Sequence, residues 1–372
     1  MKDVMGIINL MENEEFLKEV TQHRPAAAIP IGGRYRMIDF ILSNMVNSGI
    51  RNIGIIVQTK YRALMDHLGN GKDWDLDRKR DGLFYLPPAY FHYPLGIYRW
   101  DIRHFHSHLD YISYSRQKYV IISGSNMICN LDFRPAFNFH RQMQADITVL
   151  YKEEDALSKD LSQFTIIETA ADGRIVDMAM QPDKISSTKV SMEMYIMEKS
   201  LLVELINRCS SRGECDLIKD GIIKNLDRLK IYGYPHQGYL AQINSIPSYF
   251  RHNMDLLNPA IWQQLFFKPG LIYTKVKDGA PTKYAGDSSV QNAIIANDCI
   301  IEGTVENSII FRGVHIYRGA YVKDSIIMQK TTIAEDARVE YVIADKEVFI
   351  TKGKHLKGEK DYPLVIKKKT VI

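Results

Sequence analysis

Cysteine is scarce: four occur in 372 residues, at positions 129, 209, 215 and 299, with no CxxC pair among them. Sulfur ligands so far apart support neither a disulfide framework nor a zinc cage. No apolar run approaches the ~20 residues that span a bilayer. The opening Met1-Lys2-Asp3-Val4 has none of the three sections of a signal peptide. A cytoplasmic protein without membrane partners is therefore expected. Net charge is only +4, too slight to hold nucleic acid by its field. With 45% hydrophobic and 25% charged residues, the composition is that of a folded globular chain, and its length suits two domains.

The first part of the chain alternates strand and helix patterns. The apolar run 4–8 reads as a buried strand, residues 38–46 as a helix ended by Gly49, residues 53–57 as a second strand, and 61–68 as a helix ended by Gly69. Further buried strands are expected over 118–123 and 147–151, a hairpin turn at Ala171-Asp172-Gly173-Arg174, and helices near 201–206 and 248–257. Such alternation implies parallel strands with helices on both faces. Residues 84–119 are dense in aromatic and basic side chains, too apolar for a free linker, and suit a lid or a subunit contact.

Past about residue 287 the pattern changes. Aliphatic residues recur every six positions, at Ile295 and Ile301, then Ile310, Ile316, Val322 and Met328, with a shifted set at Ile327, Ile333 and Val339. Gly303, Gly313 and Gly319 fall between them. A six-residue period belongs to the left-handed parallel β-helix, where each face of a triangular coil takes one hexad. The expected organisation is an α/β domain over 1–260, a linker over 261–286 and a β-helix over 287–372. The last stretch carries Lys352, Lys354, Lys357, Lys360 and the run 367–369. It reads as a solvated basic tail or as a surface for a phosphorylated effector.

One block is highly specific. RPAAAIPIGGRYRMIDF over 24–40, followed by Leu42-Ser43-Asn44 and Asn47-Ser48-Gly49-Ile50, resembles the N-terminal block of bacterial ADP-glucose pyrophosphorylase, or glucose-1-phosphate adenylyltransferase. Ser191-Met192-Glu193-Met194-Tyr195 and Asn253-Met254-Asp255-Leu256-Leu257 are similar to two further motifs of that family. The resemblance implies a nucleotidyltransferase-type, Rossmann-like mixed sheet followed by the β-helix. It also implies the family's reaction, adenylyl transfer from ATP to glucose 1-phosphate with Mg²⁺. That chemistry requires a loop that cradles phosphates, carboxylates for the hard metal ion, and cations to place the sugar phosphate.

At each of those positions this chain departs from the family. The family's glycine-rich loop aligns with residues 9–16, Asn-Leu-Met-Glu-Asn-Glu-Glu-Phe, and no glycine stands between Gly6 and Gly32. Its phosphate lysine falls on Ala26. The stretch lining its nucleotide side falls on Trp100-Asp101-Ile102-Arg103. Its first metal aspartate falls on Ser125 or Asn126 and its second on Gln242. Gln181 stands for the sugar-phosphate lysine. Ser191 and Tyr195 remain as sugar-binding candidates, and Arg34 and Arg36 align near the family's activator site as effector-binding candidates.

Loss of so many groups together resembles the GlgD-type subunits of the family. The resemblance implies a regulatory chain with no catalytic or metal-binding residue and no cofactor of its own, Mg²⁺ belonging to a catalytic partner. The two would form a hetero-oligomer, with a tetramer expected, open to a sugar-phosphate effector. The competing expectation is a divergent but active sugar-phosphate nucleotidyltransferase using Asp39, Asp101, Asp132 or Glu193. Two further readings are a metal site on His104, His106 and His108, if they alternate on a strand, and a β-helix acyltransferase using His315, for which the sequence offers no partner base.

Overall fold

The computed structural model describes residues 1–58, 60–88, 101–154 and 164–372. The chain enters through β1 (Val4–Asn9), passes the short helix α1 (Lys18–Thr21), and turns through the pair β2 (Pro30–Ile31) and β3 (Tyr35–Arg36) into helix α2 (Met37–Asn47). β4 (Asn52–Ile56), α3 (Arg62–Leu68) and β5 (Gly82–Leu86) follow. Helices α4 (Asp101–Ser107) and α5 (Leu109–Tyr114) lead to β6 (Tyr119–Ser123), β7 (Met127–Ile128), α6 (Phe133–Gln142) and β8 (Ile147–Glu153). Next come the hairpin β9 (Thr165–Thr169) and β10 (Ile175–Met180), then β11 (Lys189–Glu198) and α7 (Lys199–Ser211). β12 (Ile231–Pro235), β13 (Ala241–Gln242), α8 (Ile246–Asp255) and α9 (Pro259–Phe267) complete this half.

β5, β4, β1 and β6 run parallel in that order. β11 then pairs antiparallel with both β6 and β8, so the sheet is mixed, and β12 closes it parallel to β8. β1 is central because its side chains are apolar on both faces. Val4 and Ile8 enter the core beneath α2, while Met5 and Ile7 enter the opposite core with Phe105 and Ile206. Gly6 lets α2 lie close, since a Cβ there would stand 2.5 Å from the Met45 sulfur. The hairpin turn expected at Gly173 is present, with φ +85°. β7 and β13 form a separate antiparallel pair beyond the end of β6, which brings two distant segments to the mouth of the sheet.

The smaller C-terminal part, residues 283–366, is a parallel β-helix of three five-stranded sheets. Ile301, Ile316, Ile333 and Ile350 fill one interior column, with Val305, Val322 and Val339 in the second and Ile310, Ile327, Ala344 and Ile366 in the third. The hexad reading requires one amendment. Ile309 stacks on Ile326 and Ile326 on Ile343, so these coils run one residue short of three full hexads. The phase therefore slips once per coil. As a result Met328 lies outside the coil, in a third core shared with the first half. The corners stack in left-handed backbone conformation, as in the ladder Asp298, Gly313, Lys330 and Glu347. Gly303 is needed for another reason: a Cβ there would meet the Ala320 carbonyl at 2.4 Å.

The two halves are joined tightly. Ile309, Phe311, Ile326, Met328 and Ile343 face outward from the coil and pack with Phe40, Tyr249 and Phe266. Arg24 reaches across to Asp345 at 2.6 Å, both side chains buried. The stretch expected as a linker is fastened in place. α9 occupies its start, Asn47 Nδ2 donates to the Leu271 carbonyl at 2.9 Å, and the Tyr273 N–H donates to Ser43 Oγ at 2.9 Å. Residues 364–366 form the last strand of the coil, so the backbone of the basic stretch belongs to the coil, while its lysines other than Lys368 stay exposed. Lys352, Lys357 and Lys369 pair with Glu335, Glu340 and Glu347 of the preceding coil.

Candidate functional site

Two concave regions concern function. The first is the cleft beyond the C-terminal ends of β1 and β6, where open α/β sheets bind ligands. It is lined by Asn9, Met11, Glu12, Asp101, Ser123, Gly124, Glu193 and Tyr195, and closed below by Leu217, Ile218 and Ile222. Its volume is only about 50 Å³, whereas pockets for nucleotide-sized ligands begin at roughly 300 Å³.

The acidic loop after β1 accounts for this closure. Glu12 turns inward, and its Oε1 accepts hydrogen bonds from the Ser125 N–H and, at 2.8 Å, from Ser125 Oγ. Glu14 Oε1 accepts from the Ala26 N–H at 2.6 Å, and its Oε2 lies 3.2 Å from Lys60 Nζ. Glu15 turns outward to Lys18. Burial pushes the Glu12 carboxyl up to about 7, against the opposing pull of its Ser125 hydrogen bonds.

The aligned metal positions do meet. Gln242 in β13 pairs with Met127 in β7, and the Ile243 N–H donates to the Asn126 carbonyl at 2.9 Å. Ser125, Asn126 and Gln242 are all buried and neutral. The Glu12 carboxylate beside them is engaged by Ser125. This donor set does not fit the Mg²⁺ that the resemblance implies, because a hard divalent cation requires anionic oxygens.

The remaining sequence candidates divide. Tyr195 is buried and lines the cleft, but Ser191 Oγ is turned to the bulge of β11, where it accepts the Glu193 N–H at 3.1 Å. That bulge, with Glu193 at φ +54°, is what aims residue 193 into the cleft. Gln181 is exposed at the end of β10 and does not line the cleft. Ala26 is buried. Asp39 caps α2 and binds His67 Nε2 at 2.6 Å, and Asp132 caps α6 and pairs with Arg134. Asp101 lines the cleft while accepting the Leu217 N–H at 2.9 Å.

The three-histidine reading is corrected. His104 and His106 lie on helix α4, not on a strand; His104 is buried, His106 is exposed, and His108 Nε2 contacts the Pro87 carbonyl at 2.8 Å. Among the described residues no cluster of His, Cys, Asp or Glu could hold a metal ion. His315 does have an acidic neighbour, Glu302 at 3.5 Å, with Tyr317 stacked on its ring. Of the segment 84–119 expected as a lid or subunit contact, residues 89–100, Trp100 among them, lie outside the described residues, and the rest includes the end of β5 and helices α4 and α5.

The second region is a cavity of about 360 Å³ between the two halves. Arg34 and Arg36 enter it from the β2–β3 turn, and Lys275 and Lys277 from the segment after α9. The β-helix supplies Arg312, Lys330, Lys346 and Lys368. Against these eight cations stand three carboxylates, Asp278, Asp298 and Glu347. The coil explains the column: Arg312, Gln329 and Lys346 occupy equivalent corners of successive coils, about 4.8 Å apart. Burial and mutual repulsion act on these groups. Burial first, then Arg36 and Arg24, pushes Lys346 down to about 7, and burial lowers Arg36 to about 10. Lys277 and Arg312 are lowered for the same reasons. A cavity so charged is complementary to a multivalent anion.

Arg34 and Arg36 were visible in the sequence as candidates, and Lys368 lay in the run 367–369 read as a surface for a phosphorylated effector, but Arg312, Lys330 and Lys346 were not. Residues 312, 329 and 346 carry no common motif, and only the true coil length places them in one column, with Lys330 in the adjacent ladder of Gly313 and Glu347.

Comparison with known proteins agrees with this architecture. The nucleotidyl transferase family model matches residues 16–258, and the GlmU-like C-terminal hexapeptide model matches residues 280–361, in keeping with a left-handed coil. The glycogen biosynthesis protein GlgD of Bacillus subtilis (strain 168) is 40% identical over 98% of this chain and 96% of its own. The GlgD of Geobacillus stearothermophilus is 40% identical over 99% and 97%. The glucose-1-phosphate adenylyltransferase of Bacillus anthracis is 30% identical over 94% and 93%. The chain belongs to the nucleotidyl transferase family and, within it, to the group of GlgD proteins and glucose-1-phosphate adenylyltransferases.

Proposed function

We propose that this chain is a non-catalytic, regulatory subunit of glucose-1-phosphate adenylyltransferase in glycogen biosynthesis. It would associate in the cytoplasm with a catalytic chain that makes ADP-glucose from ATP and glucose 1-phosphate. The observation that carries the reading is the meeting of Ser125, Asn126 and Gln242, all neutral, beside a cleft of about 50 Å³. Its similarity to GlgD proteins, named for glycogen biosynthesis, supports the same reading. On this reading the chain needs no Mg²⁺ of its own, and the basic cavity is where a phosphorylated effector acts. Regulation is then a coupling free energy: subunit contacts favour the active arrangement of the partner, and an anion bound at Arg34, Arg36 and the coil cations shifts that balance.

The competing reading, an active divergent enzyme, is weakened because Asp39 and Asp132 are committed to helix caps and ion pairs. One experiment separates the two. Purified chain with Mg²⁺, ATP and glucose 1-phosphate should release pyrophosphate no faster than a blank. Mixed with a catalytic chain, it should raise turnover or effector response. Unchanged partner kinetics at saturating ratios would overturn the proposal, and brisk pyrophosphate release by this chain alone would establish the enzyme.

A further inference from the structure

The loop that closes the cleft is anchored at both ends. Leu10 is buried and its N–H donates to the Ile56 carbonyl at 3.1 Å, and Leu17 is buried at the other end. Between them the chain makes no strand pairing and only a single short helical turn begins, at Glu15. What holds residues 11–16 over the cleft is polar: Glu12 on the Ser125 N–H and hydroxyl, and Glu14 on the Ala26 N–H and Lys60 Nζ. Lys60 also donates to the Thr21 carbonyl at 2.8 Å, which fixes it where Glu14 meets it. The backbone beside this contact is tight, since a Cβ on Gly124 would lie 3.0 Å from Glu12 Oε1.

We infer that residues 11–16 form an intrachain latch, in which Glu12, at the cleft, occupies the Ser125 donors that a small polyanion such as pyrophosphate would use there, and Glu14 ties the same loop down on Ala26 and Lys60. Three kinds of donor face the carboxylates, namely backbone N–H, hydroxyl and ammonium, and together they suit phosphate oxygens equally well. Because the carboxylates are tethered, they compete at an effective concentration in the millimolar range or above. A free anion must displace them and also approach two like charges. Glu12 lines the cleft while its Oε1 occupies the Ser125 N–H and hydroxyl, and those donors persist beneath it. This concerns the cleft alone and is independent of the regulatory reading of the interdomain cavity.

The test uses the full chain and metal-free inorganic pyrophosphate, with Arg34→Gln, Arg36→Gln, Arg312→Gln and Lys346→Gln introduced throughout, which leaves four cations of the basic cavity against its three carboxylates. In that background, calorimetry should detect no pyrophosphate site when Glu12 and Glu14 are present. Glu12→Ala with Glu14→Ala should create one, binding at least tenfold tighter. Adding Lys60→Ala should weaken it severalfold. A folded double variant that binds no better than its parent overturns the latch. Should that variant not fold, amide exchange in the unaltered chain decides. The Ser125 and Ala26 amides are protected if the carboxylates hold them, and exchange at the rate of open loop amides if the inference is wrong.

Discussion

At the scale of single residues, desolvation pushes two half-buried ionisable groups, Glu12 and Lys346, toward their neutral forms, with opposite effects on stability as pH rises. Glu12 holds its proton up to about pH 7, where an unfolded glutamate releases it near 4.5. Between those values the folded chain binds more protons than the unfolded chain, so this group's contribution to stability falls as pH rises and levels off above about 7. Glu12→Gln should flatten that part of the pH profile, as read from urea midpoints. Lys346 has the reverse sign. Its folded value of about 7 lies below the ordinary 10.5, so stability rises with pH through that window, and below it the full cost of burying the charge is felt. A bound anion offsets that cost. Inorganic pyrophosphate should therefore raise the melting temperature more near about pH 6 than near about pH 9, and Lys346→Met should remove most of the difference. The neutral residues Ser125, Asn126 and Gln242, which the structure brings together, were named in the sequence by alignment, as was Gln181, which does not line the cleft. The partners of Glu12 were not, because Ser125 is 113 residues away and nothing local links the two.

At the scale of elements, the six-residue period showed the β-helix and named most of its interior. It misassigned Met328, because period alone does not reveal a coil one residue short of three hexads. The hairpin at Gly173 and the helices ended by Gly49 and Gly69 were legible for a local reason, the positive φ that each glycine adopts. The antiparallel direction of β11 was not, since strand direction depends on a long connection and leaves no mark on its composition. The metal reading of the three histidines near residue 104 depended on a strand, and the helix α4 that carries His104 and His106 removes it. Interior coil positions predict their own energetics. Ile327→Ala removes a fully buried side chain and should cost about 2–5 kcal/mol, whereas Ile300→Ala, at 36% exposure on the outer surface, should cost about 1 kcal/mol or less. Chemical denaturation of the two variants tests the difference.

At the scale of the whole molecule, the halves are linked by a shared apolar core and one buried ion pair. Arg24→Met would leave Asp345 buried without its guanidinium and should cost about 3–5 kcal/mol. Replacing both, Arg24→Met with Asp345→Leu, should restore much of that loss, because two apolar groups of matching volume need no hydration shell. A double-mutant cycle on the melting transition reads the coupling. This pair also lies between the two concave regions. Arg24 stands two residues from Ala26, which binds the acidic loop, and Asp345 precedes Lys346 of the basic cavity.

The outward isoleucines of the coil, Ile309, Ile326 and Ile343, have a practical corollary. Cutting the polypeptide after α9 would strip the cover from Phe40, Tyr249 and Phe266 and leave a greasy flank facing water. Such a fragment should clump when expressed by itself, and the severed coil should do the same. The scissors that suit beads on a string do not suit this chain.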